Sequence, residues 1–211
     1  MIEIQRYSPV SFNIVPKKTE SRDNWTIALE YEGEDTNTPF IIDLSHKTRF
    51  DVQNSPLSSM KPFGITIPEA AGQSIFENGF LVNRMNRTQA SLWHLSGETP
   101  EIPKKSAYTD VTESTMFIAL IGEKIFSIAE KLSALDFFDP EKKVPFLFQG
   151  PLCHVPCQIV TLTREGKAPG FLFTCSRGYG MVMIHAVMEA GKEFGLKPAG
   201  EDFFSSWLKN Q

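Results

Sequence analysis

The sequence predicts an α+β fold with antiparallel sheets and helices on one side. Three observations carry this. Residues 25–31 alternate apolar and polar side chains, the period of a half-buried strand; residues 115–121 (TMFIALI) are apolar on both faces; and residues 125–135 place Ile125, Ile128, Ala129, Leu132 and Leu135 at the spacing of one helical face. A polar, proline-containing stretch, GETPEIPKK at residues 97–105, separates an N-terminal half (residues 1–104), rich in strands and loops, from a C-terminal half (residues 105–211) that ends in an apolar tail.

Taken in order, Trp25, Ile27, Leu29 and Tyr31 form the dry face of the first strand. The acidic turn-formers EGEDTNTP (residues 32–39) read as a loop before a second apolar run, residues 40–44. Pro56, Pro62, Gly64, Pro68 and Gly72 break up the next segment into loops and short pieces. In residues 79–95, the runs FLVNRM and QASLWHL flank Asn86-Arg87-Thr88 as a hairpin.

In the second half, the strand at 115–121 stops at Gly122 and the helix follows. Two further strands are expected at residues 152–162 and 170–175, joined by REGKAPG, with Pro156 marking an edge or a bulge. The last helix is expected to line up Met181, Ile184, Met188 and Gly191, with Ser176 as its N-cap and Gly195 as its stop. The order βαββα is a ferredoxin-like arrangement.

The chain has 211 residues, 41% of them hydrophobic and 22% charged, so it is long enough to bury a sizeable core. A net charge of −4 with dispersed basic residues lacks the footprint of a phosphate-backbone binder, so nucleic acid is not expected as a partner. The N-terminal residues lack a signal-peptide pattern and no apolar run is long enough to span a membrane, which points to a cytoplasmic protein. Three cysteines, Cys153, Cys157 and Cys175, do not make a secreted disulfide framework, and reduced thiols are expected.

Each chemically suggestive motif has a plainer alternative. Cys153, His154 and Cys157 are zinc-ligand types, but on one strand His154 would point away from the two cysteines, so no metal is expected. Cys157 or Cys175 as a nucleophile would need a lowered pKa; packed core thiols are the alternative. Ser176-Arg177-Gly178-Tyr179-Gly180 is a strand-to-helix turn at which Arg177 and Tyr179 could contact an anion, or at which Arg177 pairs with a carboxylate. Asp43, Ser45 and His46 are too close in sequence to form a triad, and a turn closing a strand is expected there. His94 and His185 read as core or interface histidines, and no catalytic residue is identified. In the tail, Phe203, Phe204, Trp207 and Leu208 form one apolar helical face, which either folds back on the chain or docks into a partner.

DVTESTMFIALIGEKIFSIAEKLSALDF (residues 110–137) resembles the strand, glycine, helix and Leu-Asp signature of the gamma subunit of heterotetrameric sarcosine oxidase and its aminomethyltransferase (glycine cleavage T-protein) relatives. LFQGPLCHVPCQIVTL (147–162) is similar to that family's next strand and SRGYGMVMIHAVMEAGKEFG (176–195) to its last helix. DLSHKTRF (43–50) resembles the entry to the T-protein superfamily, and LVNRMNRTQASLWHL (81–95) sits where the gamma family has a hairpin. The resemblance implies two ferredoxin-like halves related to the T-protein folate-binding domain. It further implies a non-catalytic small subunit of a flavin- and folate-linked complex that oxidises sarcosine or a related N-methyl amine. Flavin and NAD would then reside on larger oxidoreductase subunits, and this chain would carry no cofactor of its own, tetrahydrofolate being the one it could bind. The other readings are a stand-alone folate-binding aminomethyltransferase-like protein in one-carbon metabolism, with Arg177 and Tyr179 contacting the folate, and a homo-oligomer in place of the complex. The paired aspartates of the T-protein hairpin have no counterpart here, since residues 79–95 contain neither Asp nor Glu.

Overall fold

A computed structural model describes residues 4–34, 38–166 and 168–211. Part of the loop expected at 32–39, and Lys167 of REGKAPG, lie outside the described residues. The fold is α+β and almost wholly antiparallel. Its strands are β1 (Lys18–Arg22), β2 (Trp25–Glu30), β3 (Phe40–Asp43), β4 (Arg49–Gln53), β5 (Ser74–Glu77), β6 (Phe80–Arg84), β7 (Gln89–His94), β8 (Tyr108–Asp110), β9 (Thr115–Ile121), β10 (Phe146–Leu152), β11 (Val155–Thr163), β12 (Gly170–Ser176) and β13 (Lys197–Ala199). Its helices are α1 (Ile125–Leu132), α2 (Gly180–Gly191) and α3 (Glu201–Leu208).

Two sheets organise the chain. A six-stranded sheet runs β10-β11-β12-β9-β3-β13 and a five-stranded sheet runs β5-β6-β7-β4-β8, while β1 and β2 form a separate ribbon. Both large sheets draw strands from either side of residues 97–105: β3 pairs with β9, and β8 pairs with β4. The 97–105 segment therefore does not partition the sheets.

The period-two pattern explains the layering. From β9, Met116, Ile118 and Leu120 enter one core with α1 and α2, while Phe117, Ala119 and Ile121 enter a second core on the opposite face. That second core joins the sheet to Leu81, Trp93 and Leu95 of the five-stranded sheet and to α3. A third cluster, Phe50, Val52, Phe80, Val82 and Leu92, closes the outer face of the five-stranded sheet against Leu57, Ile65 and Ile67. Helices α1 and α2 thus lie on one side of the six-stranded sheet, and α3 lies on the other.

Several expected elements change. The strand expected at 152–162 is a hairpin, β10 and β11, turning on Cys153 (φ 50°) and His154 (φ 65°), the paired left-handed residues of a two-residue turn. From β9 to α2 the order is therefore βαβββα. Pro156 sits opposite Pro151, one pair out from the turn. In such a non-hydrogen-bonded pair each proline nitrogen points away from its partner, so no bond between β10 and β11 is lost. Pairing of β11 with β12 begins only at Gln158, so Pro156 owes no donor there either.

Helix α1 stops at Leu132, leaving Leu135 beyond it but still packed on the core. At α2 the buried residues are Gly180, Met183, Ile184, Val187 and Gly191, whereas Met181 is exposed. Ser176 makes no side-chain cap bond, because a 3-10 turn (Arg177–Tyr179) intervenes. Gly195, at φ +70°, ends the segment as expected.

The tail is spent inside the chain. Phe204, Trp207 and Leu208 are buried in the second core, and Phe203 packs against Phe40 with ring centroids 4.6 Å apart and the rings tilted by 52°. Trp207 lies so close to Gly170 that a Cβ there would be 2.2 Å from its ring, and its Nε1 donates to the Ala168 carbonyl at 2.8 Å. The expected docking of Phe203, Phe204, Trp207 and Leu208 into a partner is therefore corrected: the opposite sheet face was the apolar surface they needed. Trp207→Ala should lower unfolding free energy by about 3–5 kcal/mol, measured by urea denaturation. A loss below about 1 kcal/mol would place the tail outside the cooperative core.

Candidate functional site

The titratable side chains that the fold gathers most closely lie around Glu201, the first residue of α3. Glu201 is 5% exposed. Its Oε1 receives Lys47 Nζ at 2.5 Å and Arg22 Nη1 at 3.3 Å, and its Oε2 lies 3.1 Å from Arg22 Nη2. His46 Nε2 is 3.2 Å from Oε1 but off the line of a hydrogen bond. Arg22 also grips Glu20 at 2.6 Å. These groups come from three places: Glu20 and Arg22 from β1, His46 and Lys47 from the β3–β4 connection, and Glu201 from the C-terminal helix.

Arg49, fully buried, positions the loop that carries two of them. Its guanidinium donates to the carbonyls of Lys47 (2.6 Å), Ser45 (3.3 and 3.4 Å), Thr112 (2.6 Å) and Thr115 (3.0 Å), and its Nε donates to Thr115 Oγ1 at 3.1 Å. The Phe117 ring lies 4.9 Å from the guanidinium carbon. Burial pushes this guanidinium down to about 9, opposed by Asp43 and Asp110, so it remains charged near neutrality, with Nη1 and Nη2 aimed at carbonyls and Nε at the Thr115 hydroxyl.

The electrostatics follow from this geometry. Burial alone would raise the Glu201 carboxyl, yet His46 and Lys47 hold it well below the usual carboxylate range. The guanidinium of Arg22 is raised by Glu20 and Glu201. His94 is pushed down by burial and by Lys47, which favours the neutral imidazole. A small cavity of about 90 Å³ is bounded by Arg6, Arg22, Trp25, His46, Lys47 and His94, and a second, of about 190 Å³, shares Trp25 and His46 as a wall. A carboxylate so firmly ionised is a poor proton acceptor near neutrality, and its cations are already paired. The cluster is an ion network that clamps α3 to the β3–β4 connection, with little capacity for acid–base work.

The other expected site residues disperse. Asp43 accepts from Ser8 Oγ at 2.5 Å and from the Ser45 backbone N–H at 2.9 Å, so the expected turn is present, and Asp43 and His46 both border the second cavity without a hydrogen bond between them. Arg177 donates to the Tyr7 carbonyl, not to a carboxylate, and Tyr179 is exposed; neither lines the cavities above. His185 is exposed on α2 and not in a core, while His94 is buried. Cys153 and His154 form a turn, so the strand geometry expected for them does not hold. Among the described residues no group of three or more His, Cys, Asp or Glu is arranged to hold a metal ion, and no helix is long and apolar enough to cross a membrane. Sequence reading missed Glu201, Lys47 and Arg22; the one local signal was an acidic residue directly after Gly200, at a helix start.

No protein-family model matches the chain, and no curated protein matches it in sequence. Solved structures do match. A chain of the heterotetrameric sarcosine oxidase from Corynebacterium sp. U-96, in complex with pyrrole 2-carboxylate, aligns with a TM-score of 0.61 at 14% identity, over 76% of this chain and 87% of that one. The glycine cleavage system aminomethyltransferase T from Bartonella henselae aligns with a TM-score of 0.59 at 13% identity, over 90% of this chain but only 57% of that one. At these identities the likeness establishes the fold.

Because the Glu201 carboxyl is depressed in the folded chain, the stability it contributes is complete above the unfolded carboxylate pKa of about 4.3 and drains away as the pH falls below it. Glu201→Gln, which leaves the largely buried Lys47 without its carboxylate, should cost about 3–5 kcal/mol at pH 7. The gap between its urea midpoint and that of the wild type should begin to close below about pH 5 and go on closing past pH 3. Parallel midpoints across that range would contradict the assignment.

Proposed function

We propose that this chain is a sarcosine oxidase gamma-like, non-catalytic small subunit of a flavin- and folate-linked complex that oxidises sarcosine or a related N-methyl amine in the cytoplasm. The observation that carries this reading is the match in extent. The chain aligns with 87% of a chain from a heterotetrameric sarcosine oxidase, against 57% of the aminomethyltransferase. Two features of the residues support it. The hairpin β6–β7, which spans the stretch where T-proteins carry paired aspartates, has neither Asp nor Glu, and the buried charges around Glu201 are consumed by one another. Flavin and NAD would sit on the larger subunits.

With the tail buried, the partner surface lies elsewhere. Tyr179, Met181 and Val182 are exposed at the start of α2, and Tyr7, tied to Arg177, is exposed beside them. This apolar patch is the docking face in the proposed complex. On co-expression with a flavoprotein oxidase subunit the chain should copurify in stoichiometric amounts, and Met181→Glu should cut recovery at least tenfold with the fold unchanged by circular dichroism. A monomer in the presence of that subunit would remove the reading.

A second reading, a folate-binding aminomethyltransferase-like protein acting alone, is favoured by the alignment of 90% of this chain with the aminomethyltransferase. Here Arg177 and Tyr179 would contact the folate. Tetrahydrofolate at 100 times its dissociation constant would stabilise the native state by about 2.7 kcal/mol. The melting temperature should then rise by a few degrees, and Arg177→Gln should abolish the rise; an unchanged melting temperature would exclude this reading.

A further inference from the structure

All three cysteines of the chain lie at one end of the six-stranded sheet. Cys153 is half-buried in the β10–β11 turn, and Cys157 and Cys175 are 6% and 5% exposed on β11 and β12. The β11–β12 register pairs Gln158 with Thr174, and continuing it by one residue sets Cys157 opposite Cys175. Both side chains belong to the core on the α1–α2 face, so they point the same way. Opposed residues in an antiparallel ladder have Cα atoms about 4.5 or 5.5 Å apart. Both separations fall within the range of roughly 4.4–6.8 Å that a disulfide bridges.

We propose that Cys157 and Cys175 are a redox-active cross-strand dithiol that a hydroperoxide converts to a disulfide. The two thiols influence each other: the neighbouring Cys175 lowers the Cys157 thiol and Cys157 raises that of Cys175, while Cys157 Sγ faces the Val155 carbonyl at 3.3 Å and Cys175 Sγ the Ser176 carbonyl at 3.6 Å. Cys157 is therefore the sulfur that attacks and Cys175 the one that resolves.

The Cys157 thiolate attacks an oxygen of the hydroperoxide, and the O–O bond breaks. This gives a sulfenic acid and an alkoxide or hydroxide that takes up a proton. The Cys175 sulfur then attacks the sulfenic sulfur; the S–S bond forms, and hydroxide leaves as water with the Cys175 proton. Two electrons pass from the thiols to the peroxide.

The test uses the full chain, purified reduced and treated with a slight excess of hydrogen peroxide. Thiols counted after denaturation should fall from three to one per chain. A non-reducing digest should link the peptides carrying Cys157 and Cys175. Cys153→Ser should form the same linkage, and Cys175→Ser should leave Cys157 as a sulfenic acid that dimedone labels. Retention of all three thiols, or a linkage through Cys153, would overturn the proposal. Should Cys175→Ser fail to fold, the wild-type count and linkage decide the matter.

Discussion

The buried guanidinium of Arg49 ties the two large sheets together. It stands at the head of β4 in the five-stranded sheet, yet its donors reach the carbonyls that follow β3 and precede β9, both strands of the six-stranded sheet. Inside a protein each unpaired carbonyl costs about 1–3 kcal/mol, so one planar, five-donor group satisfying several of them fixes the loop path in a way that no apolar side chain would. The consequence reaches the ion network. Carbonyls of Ser45 and Lys47 are held by Arg49, so the side chains of His46 and Lys47 are delivered to Glu201 by the same loop.

The central sheet then works as a partition with a different task on each side. One face is covered by α1 and α2, a conventional helix-on-sheet layer. The other is shared between the five-stranded sheet and the short tail helix α3. Space at that second face is tight. A Cβ at Gly200 would fall 2.1 Å from the Leu29 backbone, and one at Gly170 would strike Trp207. Small residues at these two positions let α3 lie flat and bring Glu201 within reach of Lys47.

What could be read in advance followed periodicity. β2, β3, β6, β7, β9 and α1 announced themselves because one or both faces are dry along their length. β1, with almost every residue exposed, and the short β8 and β13 carry no such pattern; they exist because a neighbouring strand offers hydrogen bonds. β10 was hidden because Gly150 and Pro151 argue against a strand, and only the register with Pro156 shows why they are tolerated. The ion cluster was less legible still. Lys47 and Glu201 are ordinary surface types separated by 154 positions, and nothing local tells a charge destined for burial from one left in water.

The position of β3 between β9 and β13 also bears on how the chain comes to be folded as it is made. β3 leaves the ribosome early, yet both of its sheet neighbours are encoded far downstream. At synthesis rates of about 5–20 residues per second, β3 waits on the order of ten seconds before β13 emerges. During that interval Phe40, Ile41 and Ile42 carry open edges and apolar faces. A nascent chain of this topology therefore depends on holding that strand back from other chains until its last residues appear.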